Sequence, residues 1–137
     1  MILTVAMLLV CMFCCGCDGA TQQEGELQIS YLDKEQTKTV RVGYDPNADQ
    51  ADTELLVREL IDVLSTDSGD VDLVRPIPEG VQVTKTKLGQ DGDLKVYFND
   101  AYHSIDAVPE ILCRLALVQT LTQVEGVKCL EFFVDGE

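Results

Sequence analysis

The stretch Val108–Val124 constrains the fold more than any other part of the chain. It is apolar at most positions and long enough for about five helical turns of 3.6 residues. Both ends are marked. Pro109 sits near the first turn, where its missing N–H leaves nothing unpaired, and Gly126 follows where a left-handed C-cap belongs. Spaced at helical steps, Val108, Ile111, Leu112, Leu115 and Val118 share one broad face, while Cys113, Leu117, Leu121 and Val124 form a second apolar strip. A helix resting on one sheet buries one stripe. The second strip is therefore expected to meet another helix, a further segment of chain or a partner, and Cys113, Leu117, Leu121 and Val124 are the candidate partner-binding residues.

The rest of the chain supplies strands and one more helix. Leu27, Ile29 and Tyr31 alternate with Gln28, Ser30 and Leu32, a period-2 strand that turns at Asp33–Gln36 into a partner over Thr37–Gly43. Asp52 and Thr53 are plausible caps for a helix from Glu54 to Leu64, with Leu56, Val57, Leu60, Ile61, Val63 and Leu64 on one side. Thr66–Asp72 is a polar loop. Arg75–Gly80 is a rigid connector, because neither Pro76 nor Pro78 can donate to a ladder. A hairpin follows, with strands over Val81–Leu88 and Leu94–Phe98 joined by the turn Gly89–Asp93. Asn99–Ala107 reads as loop, and a last strand-like run follows Gly126. The order β-β-α-β-β-α-β predicts an α+β fold, a two-layer sandwich with both helices on one face of a small sheet. A length of 137 residues fits a single domain.

The N-terminus carries an address. Residues 1–16 hold no charged side chain and are too short for a membrane span, but they match the apolar region of a signal peptide. Gly16 and Cys17 resemble the end of a bacterial lipobox, in which the cysteine is lipidated and becomes the first residue of the mature protein. Cys14 stands where that motif prefers Leu, and no Lys or Arg precedes the apolar run. An uncleaved anchor and ordinary secretion are the other readings, and all three place the body outside the cytoplasm. The expected organisation is a signal peptide over 1–16, a lipidated tether over 17–26 and a folded domain over 27–137.

Once the leader is removed and Cys17 carries lipid, Cys113 and Cys129 remain. The helix climbs about 18 Å from Cys113 to the turn, whereas the returning strand reaches Cys129 after about 10 Å. That offset exceeds the roughly 7 Å a disulfide tolerates between Cα atoms. Two small buried hydrophobes are expected instead.

Chemistry is sparse. The net charge of −14, from 24 acidic and 10 basic side chains, argues against nucleic acid or anionic lipid as a partner face. No nucleophile elbow, P-loop, zincin motif or dinucleotide-binding glycine pattern occurs. His103 is the sole imidazole, and the adjacent Ser104 is badly placed to use it as a base. The acidic groups Asp45, Asn47, Asp49, Asp52 and Asp67, Asp70, Asp72 lack the Gly and distal Glu of a calcium loop, and caps and turns account for them. No catalytic residue, cofactor, metal or small-molecule substrate is expected.

Pro76–Gly80, the strand end Val96–Asn99, the run Leu117–Thr122, Gly126-Val127 and Val134–Gly136 together resemble the GerMN domain of sporulation and germination proteins. The resemblance covers roughly Leu27–Gly136. It implies a fold similar to the ring-building domains of secretion machines, anchorage to the outer side of a membrane, and a role in envelope assemblies rather than catalysis. The expected function is thus a non-catalytic lipoprotein interaction domain, a scaffold or assembly component of the cell envelope held to the membrane by lipid on Cys17. The alternative is a module that binds a cell-wall fragment or metal ion. A concave polar cluster near Asn99–Asp106 would favour the alternative, and a flat apolar patch beside an unpaired strand would favour protein docking.

Overall fold

The computed structural model describes residues 26–135. The expected signal peptide, Cys17 and most of the expected tether lie outside them.

The chain opens with an antiparallel hairpin of β1 (Leu27–Asp33) and β2 (Thr39–Tyr44), registered from Leu27↔Tyr44 to Leu32↔Thr39. One carboxylate organises its turn. Asp33 accepts from the Thr37 N–H at 2.6 Å, the Thr37 hydroxyl at 2.8 Å and the Lys38 N–H at 3.0 Å. These bonds, the Thr37 hydroxyl first, hold the Asp33 carboxyl below its ordinary range.

Helix α1 (Thr53–Leu64) starts where the capping residues predict, with the Asp52 side chain accepting from the Leu55 N–H at 3.1 Å. It buries Leu56, Val57, Leu60, Ile61 and Leu64. The proline connector does more than connect. Ile77 is fully buried between its two prolines, and its N–H donates to the Leu64 carbonyl at 3.2 Å, satisfying an orphan acceptor at the helix end. Just before it, β3 (Leu73–Val74) pairs with Leu32 and Asp33 of β1. This two-residue strand has no periodicity to betray it.

The second hairpin, β4 (Val83–Leu88) and β5 (Asp93–Phe98), buries Leu94, Val96 and Phe98 and turns Lys95 and Tyr97 outward. After β5, the stretch expected as loop holds a 3-10 turn over Asp100–Ser104, which stacks Tyr102 on Phe98 at 4.3 Å between centroids. Helix α2 (Ala107–Leu121) then carries the chain across to β6 (Cys129–Val134), which lies parallel to β5. A parallel neighbour requires such a crossover.

The α+β class is as expected, but the strands form two three-stranded sheets, β2-β1-β3 and β4-β5-β6, instead of one. A single hydrophobic cluster nevertheless joins them, drawing Ile29 from β1, Leu60 and Leu64 from α1, Val96 and Phe98 from β5, and Leu117 and Leu121 from α2. Each fully buried Leu or Ile contributes about 1.5–3 kcal/mol.

Candidate interaction surface

Helix α2 is apolar on nearly every side, so packing decides which side faces out. The structure reverses the expected assignment. Cys113, Leu117 and Leu121 are 0 % exposed and Val124 is 2 %, so the proposed partner-binding strip is core. The opposite face is open, with Val108 at 63 %, Ile111 at 64 %, Leu115 at 40 % and Val118 at 37 %; Leu112 alone of that face is buried.

The reason lies along β1. Beyond the short β3, the free edge of β1 is met by side chains of the last turn of α2 and the residues just past it. The Thr120 hydroxyl oxygen accepts from the Ser30 N–H at 3.1 Å. The Gln123 carboxamide accepts from the Gln28 N–H at 3.1 Å and donates to the Gln28 carbonyl at 2.8 Å. The buried Ser30 N–H needs such a partner, and the contacts together fix the helix about its own axis. Cys113, Ala116 and Thr120, all small, lie on the buried side where the strand approaches.

Both remaining cysteines are free. Burial pushes the Cys113 thiol up to about 12, the state of an inert thiol. The expectation fails for Cys129, which is exposed, with its sulfur 3.7 Å from Asp93 Oδ1.

A cleft of about 300 Å³ opens between α2, the 3-10 turn and β6, lined by Tyr102, His103, Ile105, Glu110, Arg114 and residues Phe132 to Val134. Arg114 reaches three of the other lining side chains. Its Nε donates to the Tyr102 hydroxyl at 2.7 Å and its Nη2 to Glu110, while Tyr102 donates to Glu110 at 3.2 Å. The guanidinium carbon lies 5.7 Å from the Tyr102 ring centroid and 5.4 Å from that of Phe132. Burial drives the Tyr102 hydroxyl up to about 12 against the opposing pull of Arg114, so it stays a neutral donor. Sequence reading missed this cluster, although Arg114 is the one basic residue of Val108–Val124 and stands four residues after Glu110.

The acidic residues do the local work expected of them. Asp49 accepts from the Ala51 N–H at 3.0 Å and Asp70 from the Asp72 N–H at 2.9 Å. Glu59 of α1 gathers the Tyr44 hydroxyl, the Asn47 N–H at 2.7 Å and the Ala48 N–H at 2.6 Å, fastening the loop after β2. Among the described residues, no group of three or more His, Cys, Asp or Glu is arranged to hold a metal ion. The Ser104 hydroxyl donates to the Ala101 carbonyl at 2.6 Å, a local turn bond. On the outer face of the second sheet Tyr97 stacks on Phe133 at 5.0 Å, and Lys95 pairs with Glu131 at 3.8 Å.

Solved structures share this architecture. The first GerMN domain of the sporulation protein GerM from Bacillus subtilis matches with a TM-score of 0.66 at 14 % identity, over 82 % of this chain and 84 % of that one. The tandem GerMN domains of the same protein match at 0.63 and 15 % identity, over 82 % of this chain and 39 % of the longer one. A lipoprotein candidate from Clostridium perfringens matches at 0.50 and 18 % identity, over 86 % of this chain and 80 % of that one. No curated protein sequence matches. The family model described as sporulation and spore germination matches residues 28–137, and on that match the chain belongs to the Germane family.

Proposed function

We propose that this chain is a non-catalytic, lipid-tethered domain of the bacterial cell envelope that docks a partner protein through the outer face of α2, in the setting of sporulation or germination. The polar cleft at Tyr102 and His103 favours the alternative of a small envelope ligand, but the observation that carries the docking reading is the exposed row Val108, Ile111, Leu115 and Val118. These positions recur at i, i+3, i+7 and i+10, the spacing by which one helix face seats in a groove of another protein. Scattered apolar side chains on a surface are ordinary; four aligned on one helix face support the docking reading. The family description supports the process, and the apolar leader ending at Gly16-Cys17 supports the tether.

The test is crosslinking in the producing cells with a photoreactive side chain at Val108, comparing the native chain with the double variant Ile111→Lys, Leu115→Lys. Both are expected to melt alike, and the variant is expected to lose the partner adduct. An undiminished adduct would refute docking by this face. Mass spectrometry of the mature N-terminus checks the tether separately, with a lipidated Cys17 expected as residue one.

A further inference from the structure

The cleft beside Arg114 borders the outer face of α2 and has features of its own. Strand β6 is hydrogen-bonded on one side only, to β5, and among the described residues no strand pairs with its other edge. Such an edge presents a row of unpaired N–H and C=O groups. Phe132, Phe133 and Val134 of that strand line the cleft, so edge and cavity are continuous. Arg114 stands across from them. Tyr102 and Glu110 take its Nε and Nη2, its central carbon lies within 5.7 Å of two ring centroids, and Nη1 has no partner among the described residues. Its side chain is 46 % exposed. A guanidinium fixed along one edge offers the other as a ready fork for a carboxylate, with little side-chain entropy left to lose.

We infer that this cleft receives an extended peptide segment that adds to the free edge of β6 as a further strand and places one carboxylate, terminal or side-chain, on the outer edge of Arg114. Strand addition supplies affinity through the main chain, and pockets for alternate side chains supply selectivity. Glu110 already balances one charge of the site, so it suits a single carboxylate set in an otherwise apolar segment rather than a polyanion.

The probe is an N-acetylated peptide of alternating valine and threonine, six residues long, with a free C-terminal carboxylate, compared with its C-terminal amide and with acetate. Each is titrated by NMR into the full nitrogen-15-labelled chain held in detergent micelles. Shifts are expected at Leu130–Val134 and at Arg114 Nε, with the acid binding roughly tenfold more tightly than the amide, the scale of one charge-assisted hydrogen bond. Arg114→Lys, which keeps the charge and loses the fork, is expected to bring acid and amide within about twofold of each other. Equal binding of acid and amide by the native chain, shifts away from β6, or absence of binding would each overturn the proposal. So would acetate reproducing the full set of shifts, which would make the cleft a small-anion pocket. Should Arg114→Lys fail to fold, the acid-against-amide comparison on the native chain decides alone.

Discussion

The carboxamide of Gln123 is bonded twice to the backbone of Gln28, accepting from its N–H and donating to its carbonyl, as the peptide group of a neighbouring strand would. A helix thus stands where another strand would otherwise pair. That substitution ends the first sheet at β1 over most of its length and sets which side of α2 is inside.

The two helix contacts to β1 should differ in weight. Thr120 and Ser30 are fully buried, so Thr120→Val strands a buried N–H and is expected to cost about 1–3 kcal/mol. Gln123 lies at an exposed site where water can take over, and Gln123→Ala should cost about 0.5–1.5 kcal/mol. Urea unfolding of the two variants checks the order.

The two faces of α2 should separate by stability. Leu117→Ala empties a fully buried position and is expected to cost about 2–5 kcal/mol. Leu117→Asp should leave no cooperative melt. Ile111→Ser, on the open face, should stay within about 1 kcal/mol of the native chain. Thermal melts followed by far-ultraviolet circular dichroism read all three.

Cysteine labelling should be one-sided. Iodoacetamide at mild alkaline pH is expected to modify Cys129 and to spare Cys113, whose thiol burial pushes up to about 12. Peptide mapping before and after denaturation distinguishes the two; native labelling of Cys113 would mean that the helix opens readily.

Acid should loosen the hairpin turn and the loop after β2. Hydrogen bonding, from the Tyr44 hydroxyl first, holds the Glu59 carboxyl below its ordinary 4.5, and Asp33 is held below 3.8 by Thr37. A lowered folded value stabilises above the unfolded one and fades as pH falls through it, so stability should drop from about pH 4.5 downward. Tyr44 has the opposite sign. Burial, then Glu59, raises it from 10.0 to about 12, so stability present below pH 10 is lost as pH climbs toward 12. Glu59→Gln should flatten the acid slope in a pH series of urea midpoints.

Much of the fold was legible because its signals are local. Period-2 alternation marked both hairpins, Asp52 marked the start of α1 and Pro109 the first turn of α2, but that helix ends at Leu121 with Thr122 as its cap, short of Val124 and of the expected Gly126 cap. What escaped depends on neighbours distant in sequence. Leu73–Val74 becomes a strand only because β1 offers it two partners, and an all-round apolar helix has no stripe to read until Ser30 and Gln28 claim one side of it. The small residues Cys113, Ala116 and Thr120 were the available hint, since a strand comes closest where side chains are short. The Arg114 cleft escaped because Phe132 and Tyr102 reach it from elements on either side of the helix.

One helix closing the first sheet while sharing its core side chains with the second has a consequence for how the domain comes apart. Neither ladder can be released alone, because freeing β1 from Thr120 and Gln123 also unseats Leu117 and Leu121 from the cluster they share with Val96 and Phe98 of β5. Amide protons of the two sheets should therefore exchange through a common opening, at one rate limit, rather than as two independent halves.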